Sequence, residues 1–597
     1  MTALRSPWAV AGLGALLALA LLLPGLGEAP FDDPGEGQHA EIAREAWASG
    51  KLLDLRLNGV RYFDKPPLLY WLIALDFRGW GPSEWAARLP SVAGAAAAAA
   101  ATAFLGARLL GPAAGLLAAA ALLSCALFAV FGRYVRPETL FAAAIQIGLT
   151  GLLLGVTGEG RRARRWAVAG AAALGAASLA KDPLGLLWPL AAVGAALAAC
   201  GRLRPVRRWL PPAGLALMLL LGLGWYAWSG LRHPGFLWYV AVDNHLLNAV
   251  GLRRFPDEDV PLATGEFLTV AALGAFPWII PAGLMLGSLI RRRAWRDPEE
   301  TPWVALALWV VGLWSLFTLS TFKLPHYGLP AYPAVALLAA RWWTERTGRS
   351  RAPALAHVGL FAILAVGLGL AAGSDGKGFL DAVFSATDVN TRKDLAAAQA
   401  SPLPPWSALQ PLVARTALIM AVGAAALALI AWRHAGRWTG AVVAATMLAV
   451  MPAATRALDL VAGARAVSGM AAEVRRLTPQ GALLAHEGPI ENSGALEYYS
   501  SRRPVLVDAR RSVLGIGATF PDAAGDFWTA EQFAAAWLSG RPILLVTPRE
   551  PGRSLVSTLP PDRVRLLRAE NGRWLYASIP AAVAVTRQQP AGEVDRR

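Results

Sequence analysis

Asp32, Asp33, Glu36, His39, Arg61, Asp64 and Lys65 all fall within residues 31–71, a stretch lying between two long apolar segments. That is more charge than a connector at a membrane surface needs. Asp33 and Glu36 are three apart, so a helical turn there sets both carboxyls on one side. Paired carboxyls near an apolar boundary keep one proton affinity raised, which suits a general base. The same pair would also serve as an N-terminal cap for the helix that follows. Further along, Arg61-Tyr62-Phe63-Asp64-Lys65-Pro66-Pro67 follows an Asn58-Gly59 turn. The two prolines delay the next helix and hold the cations at the membrane edge. Cations placed there bind a lipid phosphate, or snorkel towards water.

Three other turns carry charge between apolar runs. In Arg133-Tyr134-Val135-Arg136-Pro137-Glu138, Pro137 and Glu138 suit a helix start, while the two arginines call for an anionic partner. Lys181-Asp182-Pro183 and Lys323-Leu324-Pro325-His326-Tyr327 interrupt spans in the same way, and rim ionisable groups are functional candidates by default. Lys181 and Asp182 would equally form a self-contained ion pair. Asp243, Asn244 and His245 add polarity to a loop able to close over a cleft, whereas Asp257-Glu258-Asp259 reads as a solvated loop. No His-Glu-x-x-His spacing occurs, so no metal site is assigned to His39, His245 or His326. Cys125 and Cys200 both lie inside apolar runs and read as small buried thiols.

The elements that must position these groups are mostly membrane spans. Of the 597 residues, 55% are hydrophobic and 16% charged, which marks a multi-span membrane protein. The net charge of +16 comes in short basic clusters between apolar runs, as in cytoplasmic loops, and a nucleic-acid role is set aside. A window of about 20 apolar residues predicts an uncleaved first helix near 8–27. Further spans fall near 84–108, 112–131, 137–157, 166–180, 184–200, 208–229, 265–290, 302–320, 325–343, 352–373, 412–432 and 436–457, thirteen in all. Alternate loops collect arginines: 161, 162, 164 and 165; 202, 204, 207 and 208; 291, 292, 293 and 296; 341, 346, 349 and 351; 433 and 437. This set is cytoplasmic by the positive-inside rule. The opposite set holds all the chemistry-bearing turns and the C-terminal part. Within the first outer loop, His39–Ser49 has Ile42, Ala43, Ala46 and Trp47 at helical spacing, with Glu41, Arg44 and Glu45 opposite. That predicts a helix lying on the outer interface.

Beyond residue 458, short apolar runs at 482–485, 504–507 and 543–547 alternate with helix-like segments at 472–477 and 530–538. The expected fold is mainly α, with about 13 transmembrane helices in residues 1–458, including a first extracytoplasmic loop at 31–83, and a small α/β extracytoplasmic domain in 459–597.

At this point the chain resembles the polytopic GT-C glycosyltransferases related to bacterial aminoarabinose transferase and the protein O-mannosyltransferases. EGQHAEIAREAWASG, LNGVRYFDKPPLLYWL, RYVRPETLF, LAKDPLGLLWPL, FPW at 276–278 and KLPHYGLPAYPAVALL carry the resemblance, in the family's order, over most of residues 30–340. It implies an enzyme of the bacterial inner membrane, with its active site on the extracytoplasmic side. Such an enzyme transfers a sugar from a polyprenyl-phosphate donor, used as co-substrate, to a lipid, glycan or protein acceptor. It implies catalytic carboxyls at Glu36 and Glu138, the latter where many members carry aspartate. Many members also have aspartate immediately before that first glutamate. Here Gly35 stands at that position, so Asp33 or Asp32 is implied to serve. Lys65 matches the lysine that contacts the lipid phosphate. With Arg61, Tyr62, Arg133, Lys181, Lys323, His326 and Tyr327 it forms the expected donor-binding set. Asp33 with Glu36 would be the base, and the cations would stabilise the departing phosphate. A lipid-linked sugar flippase and a noncatalytic envelope assembly protein are the competing expectations. The first predicts ionisable groups within helices rather than on loops.

Overall fold

The computed structural model describes residues 6–346, 351–396, 402–477 and 481–579; Arg349 and the tail from residue 580 lie outside them. The chain is mainly helical, as expected. Its first third runs α1 (Pro7–Leu22), α2 (Gly37–Ser49), β1 (Arg56–Leu57), β2 (Val60–Arg61), α3 (Leu68–Trp80), α4 (Glu84–Leu110), α5 (Pro112–Leu123), α6 (Ala126–Gly132), α7 (Glu138–Thr157), α8 (Gly160–Ala180) and α9 (Leu184–Ala199). Among the described residues seven helices are long and apolar enough to cross a membrane, or nine if two bent pairs each count as one span. This is a multi-pass membrane architecture. The bent pairs fall on two expected spans. α5 and α6 meet at 75° across Ser124-Cys125, and Thr264–Gly274 meets Ile279–Arg291 at 104°, with Pro277 in the break. The last apolar helix runs unbroken from Thr439 to Arg465, past residue 458.

Small residues let the helices approach closely. A Cβ added at Gly151 of α7 would lie 2.6 Å from the Gly170 Cα of α8, and one added at Gly170 would lie 2.7 Å from the Gly148 carbonyl oxygen. Lipid gives helices no hydrophobic reason to associate, so such backbone contact is where packing energy comes from.

The C-terminal part forms a six-stranded sheet. Its strands are β3 (Leu483–Glu487), β4 (Val505–Val507), β5 (Phe527–Trp528), β6 (Ile543–Thr547), β7 (Val564–Glu570) and β8 (Arg573–Ser578). The order is β5-β4-β3-β6-β8-β7, parallel from β5 through β6 and antiparallel at β8 and β7. Strand side chains alternate between faces. Leu484, Leu506, Leu544, Val546, Leu575 and Ala577 therefore share one core with the first loop, packing with Phe31, Ala40, Ile42, Leu57, Tyr62 and Tyr70. Ala485, Val507, Ile543, Leu545 and Tyr576 point the other way, onto Phe533 and Trp537 of the helix Ala530–Leu538. Residues 31–71 are thus held between the helical bundle and the sheet.

This placement corrects the expectation for α2. Its limits match the sequence pattern, but it does not lie on an interface with its charged face outward. Glu41 is 1% exposed and accepts both Arg44 contacts, at 2.6 and 2.7 Å, while the sheet side supplies Glu497 and Arg503. Burial is the main reason the Glu41 carboxyl is pushed up to about 8. A charged helix face reads as solvent-facing until the partner chain segment, here 450 residues away, is known.

Candidate functional site

The acidic end of the loop is fully engaged. Arg88 of α4 donates to both oxygens of Glu36, at 2.9 and 2.7 Å. The backbone N–H groups of Val135 and Asp32 fill the same carboxylate at 2.9 and 3.1 Å. Asp33 turns towards the C-terminal part, accepting from the Ala495 N–H at 3.0 Å and the Val467 N–H at 3.4 Å. Burial, opposed by the Arg573 guanidinium, pushes its carboxyl up to about 7. Asp32 accepts from the Tyr134 hydroxyl and lies 4.0 Å from Arg465. Burial raises it as well. The structure therefore does not bring Asp32, Asp33 and Glu36 to the face lined by Lys65.

The same region explains Gly35. A Cβ there would collide with the Tyr134 hydroxyl, which occupies the space a side chain at 35 would need. Asp32, through its bond to Tyr134, is the carboxyl beside this position, and Asp33 is not.

Lys65 lines two adjoining cavities. One, about 300 Å³, is apolar, with Phe141 of α7, Leu184 of α9, Trp225, Trp309 and Leu313 in its wall. Leu246, 65% exposed, lies on its lining and marks a side open to the bundle exterior. The other, about 90 Å³, is polar. Asp64, Lys65, Lys181, Asn244, Asn248 and Tyr327 line both, so the cations stand where the apolar space meets the polar one. The Lys65 ammonium is 2.5 Å from Asp64, whose other oxygen accepts from Asn244 at 3.4 Å. Burial disfavours the charged form of Asp64, but Lys65 and then Arg253 outweigh it and hold the carboxyl below its ordinary range.

Lys181 leaves the end of α8 and reaches Glu138, the first residue of α7, at 3.3 Å, passing over the Tyr327 ring. His326 Nε2 lies 3.3 Å from the same Glu138 oxygen. Lys181 therefore does not pair with Asp182, which instead caps α9 by accepting from the Leu184 N–H at 2.8 Å. Tyr62 and His39 join the polar wall through Tyr70: His39 Nδ1 meets the Tyr70 hydroxyl at 2.9 Å, and that hydroxyl donates to Tyr62 at 3.3 Å. Burial, helped by Arg136, lowers His39 to about 3, so its ring is neutral. Several polar atoms on or beside this wall have no hydrogen-bond partner among the described residues: Gln38 Oε1, His39 Nε2, Arg136 Nε and Glu138 Oε2. Buried polar groups are normally satisfied, and such a concentration calls for a polar ligand.

Three expected donor-binding residues lie elsewhere. Arg61 pairs with Asp522 at 3.2 Å and sits over the Phe520 ring. Arg133 donates to the Leu22 and Pro24 carbonyls, tying down the end of α1. Lys323 caps a neighbouring helix end through the Ser320 and Thr318 carbonyls and the Thr264 hydroxyl. Residues not assigned to the site from sequence enter it, among them Asp64, Arg136 and the segment Asp257–Asp259. Of the two arginines in Arg133-x-x-Arg136, the second lines the polar cavity and the first is spent on the end of α1. Asp257–Asp259 is not a solvated loop. It is anchored by buried Asp243, which accepts from the Arg254 N–H at 2.5 Å and the Phe255 N–H at 3.3 Å, and by the Arg253–Asp257 ion pair at 2.9 Å.

Among the described residues, Glu41, Glu45 and Glu497 are the carboxyls close enough to share a metal ion. Arg44 and Arg503 already pair with them.

The family described as dolichyl-phosphate-mannose-protein mannosyltransferase matches residues 64–228, a segment containing Asp64, Lys65, Arg136, Glu138 and Lys181. Similar proteins include the undecaprenyl phosphate-alpha-4-amino-4-deoxy-L-arabinose arabinosyl transferase of Pseudomonas aeruginosa (strain LESB58), 28% identical over 350 residues. A second such protein, from Sodalis glossinidius, is 28% identical over 346 residues. Each match covers 57% of this chain and 60% of the relative, so the chain aligns with less than two thirds of either relative's length. The crystal structure of ArnT from Cupriavidus metallidurans bound to undecaprenyl phosphate superposes with a TM-score of 0.77 at 23% identity, covering 95% of this chain and 97% of that one. Its apo form gives 0.78 at 22% identity, covering 96% and 98%. The chain therefore shares the fold of the Cupriavidus metallidurans structures and is similar in sequence to the named arabinosyl transferases and, over residues 64–228, to the mannosyltransferase family.

Proposed function

We propose that the chain is a membrane glycosyltransferase that takes a sugar from a polyprenyl-phosphate donor and passes it to an envelope acceptor. The observation that carries this reading is the apolar cavity ending on Lys65 and Lys181, with unpartnered polar atoms beyond them. A polyisoprenoid chain fits the apolar side, its phosphate meets the two ammonium groups, and the sugar faces the polar side. The leaving group is a phosphate that needs charge stabilisation but little protonation, and preorganised cations supply that. Glu138 holds Lys181 and His326 in place. Asp32, Asp33 and Glu36 form the wall behind the site rather than its reacting groups. Relatives named for undecaprenyl phosphate, and a related structure that binds it, support this donor class.

We count α1, α8, α9 and the stretch Pro325–Arg346 as spans beside the seven long helices and the two bent pairs, a reading that makes thirteen. The arginine clusters gather at one end, where Arg164, Arg207 and Arg208 line one surface hollow and Arg341 pairs with Glu300. We take that end as cytoplasmic from its charge, and on that reading the cavities and the sheet face the outer side of the bacterial inner membrane. We divide the chain accordingly at the end of the last apolar helix, at Arg465 rather than at the expected residue 458, into a membrane part and an extracytoplasmic α/β part.

The test is reconstitution of the full chain in proteoliposomes with a labelled lipid-linked sugar pool and an envelope extract. Label should appear in the extract, and undecaprenyl phosphate should compete. Movement of labelled lipid across the bilayer without a new glycosidic bond would favour a flippase and end the transferase reading.

A further inference from the structure

Five carboxyls wall the polar cavity, and four of them are committed. Asp64 pairs with Lys65, and Asp257 with Arg253. Glu258 pairs with Lys393 at 2.9 Å and accepts from Asn492 at 3.2 Å. Glu491 accepts from the Ser512 hydroxyl at 2.8 Å and the Val513 N–H at 3.1 Å. The Asp259 carboxylate, in contrast, has no hydrogen-bond or ion-pair partner among the described residues, although its own N–H is fixed to Asp257 at 3.1 Å. Its backbone is therefore held while its side chain stays free. The segment that carries it is anchored by Asp243 from below, so this placement does not depend on a loose loop.

The other candidate bases are worse placed. Glu138 pairs with the Lys181 ammonium and lies beside His326, and a carboxylate held by a cation is a weak proton acceptor. Glu36 has its oxygens filled by Arg88 and two backbone N–H groups. His39 is buried beside Arg136.

We propose that Asp259 is the general base of the transfer, acting on an acceptor that presents a neutral hydroxyl; this rests on the transferase reading above. The acceptor O–H bond breaks and its proton goes to the Asp259 carboxylate. The freed oxygen pair forms the bond to the anomeric carbon. The bond from that carbon to the phosphate oxygen breaks, and its electron pair leaves on the polyprenyl phosphate, whose added charge meets Lys65 and Lys181. An acceptor that is already an anion needs no such base, so the free carboxylate points to a hydroxyl-bearing glycan, lipid or protein. The groups acting on Asp259 are Asp257 on its own segment, Lys393 from the helix Val389–Ala396, Arg136 before α7, Asp64 in the first loop, and Tyr327. Burial, then the Asp257 charge, raise its carboxyl to about 6, so the base form is present above that pH.

The experiment compares wild type, Asp259→Asn and Asp259→Glu as full chains in nanodiscs. It uses a labelled lipid-linked sugar pool and envelope extract from the native cells, with undecaprenyl phosphate affinity measured in parallel. The expected result is a fall of about 10²–10⁴-fold in kcat for Asn, unchanged undecaprenyl phosphate affinity, partial rescue by Glu, and loss of the rising limb of the pH profile near 6. An Asn variant within about threefold of wild type that keeps that limb overturns the assignment. Wild type that binds undecaprenyl phosphate but transfers nothing overturns the transferase reading, and this proposal with it.

Discussion

At Glu36 every oxygen meets a donor, whereas at the Lys65 end of the same loop a free carboxylate and several unpartnered atoms surround a cavity. Both regions are charged, both are largely buried, and both sit under the sheet. The difference lies in what remains unspent. A charge whose bonds are all made inside the protein fixes geometry, and one with bonds to spare is available to a substrate. Residue type alone does not separate the two.

The largest expected effect breaks the first region. Arg88→Ala strands the buried Glu36 carboxylate and should cost roughly 3–5 kcal/mol, read as a lowered unfolding midpoint in detergent. Transfer per folded molecule should stay near wild type. An unmoved midpoint would show that Glu36 is not structural.

The second region should respond the other way. Lys65→Met or Lys181→Met should lower kcat by about 10²–10³-fold while lowering the midpoint less than Arg88→Ala does. If both lysine variants melted early and transferred normally, the contrast between the two clusters would be reversed.

Gly35 sharpens the boundary between them. Gly35→Ala forces its Cβ onto the Tyr134 hydroxyl and should cost about 1–3 kcal/mol. Most of that loss should vanish in a Tyr134→Ala background, since contacting positions couple in a double-mutant cycle. Additive losses would mean that the two side chains do not compete for space.

The smallest effect is a slope. Asp33 sits near 7 in the fold, above an ordinary carboxyl, so the native state holds its proton more tightly. Its contribution to stability is complete below about pH 4 and is lost as pH rises through about 7, by at most about 1.4 kcal/mol per pH unit. Glu41, raised to about 8, and Glu45, raised to about 7, both chiefly by burial, slope the same way. Asp33→Asn should flatten the curve in part, as followed by urea unfolding from pH 4 to 8. An identical slope would show that Asp33 is ionised throughout.

Much of the architecture was legible in the sequence because its causes are local. Apolar length marks the helices, and the runs at 482–485, 504–507 and 543–547 overlap strands β3, β4 and β6. The ends of α2 follow from its pattern and from Gly50 in a left-handed turn at its C-terminus. Partner choice was not legible, because Glu36 finds Arg88 52 positions on and Asp33 finds Ala495 462 positions on. The motif residues Lys65, Glu138, Lys181, His326 and Tyr327 did converge. Asp259 was passed over because its neighbours Asp257 and Glu258 make an acidic run that looks hydrated, when two of the three are neutralised and one is not.

One contact has a meaning for how the molecule is made. The Arg573 guanidinium, in the last strand, donates to the carbonyl of Asp33 across 540 positions. A growing chain threads its spans and forms Lys65, Glu138 and Lys181 long before that strand leaves the ribosome. Until then the first loop lacks the sheet that shares its core, and the wall behind the cavity stands open. Synthesis itself thus acts as a timer: the pocket is finished only after Arg573 has been made, and a chain stopped before it carries the reacting groups without the enclosure that puts them to use.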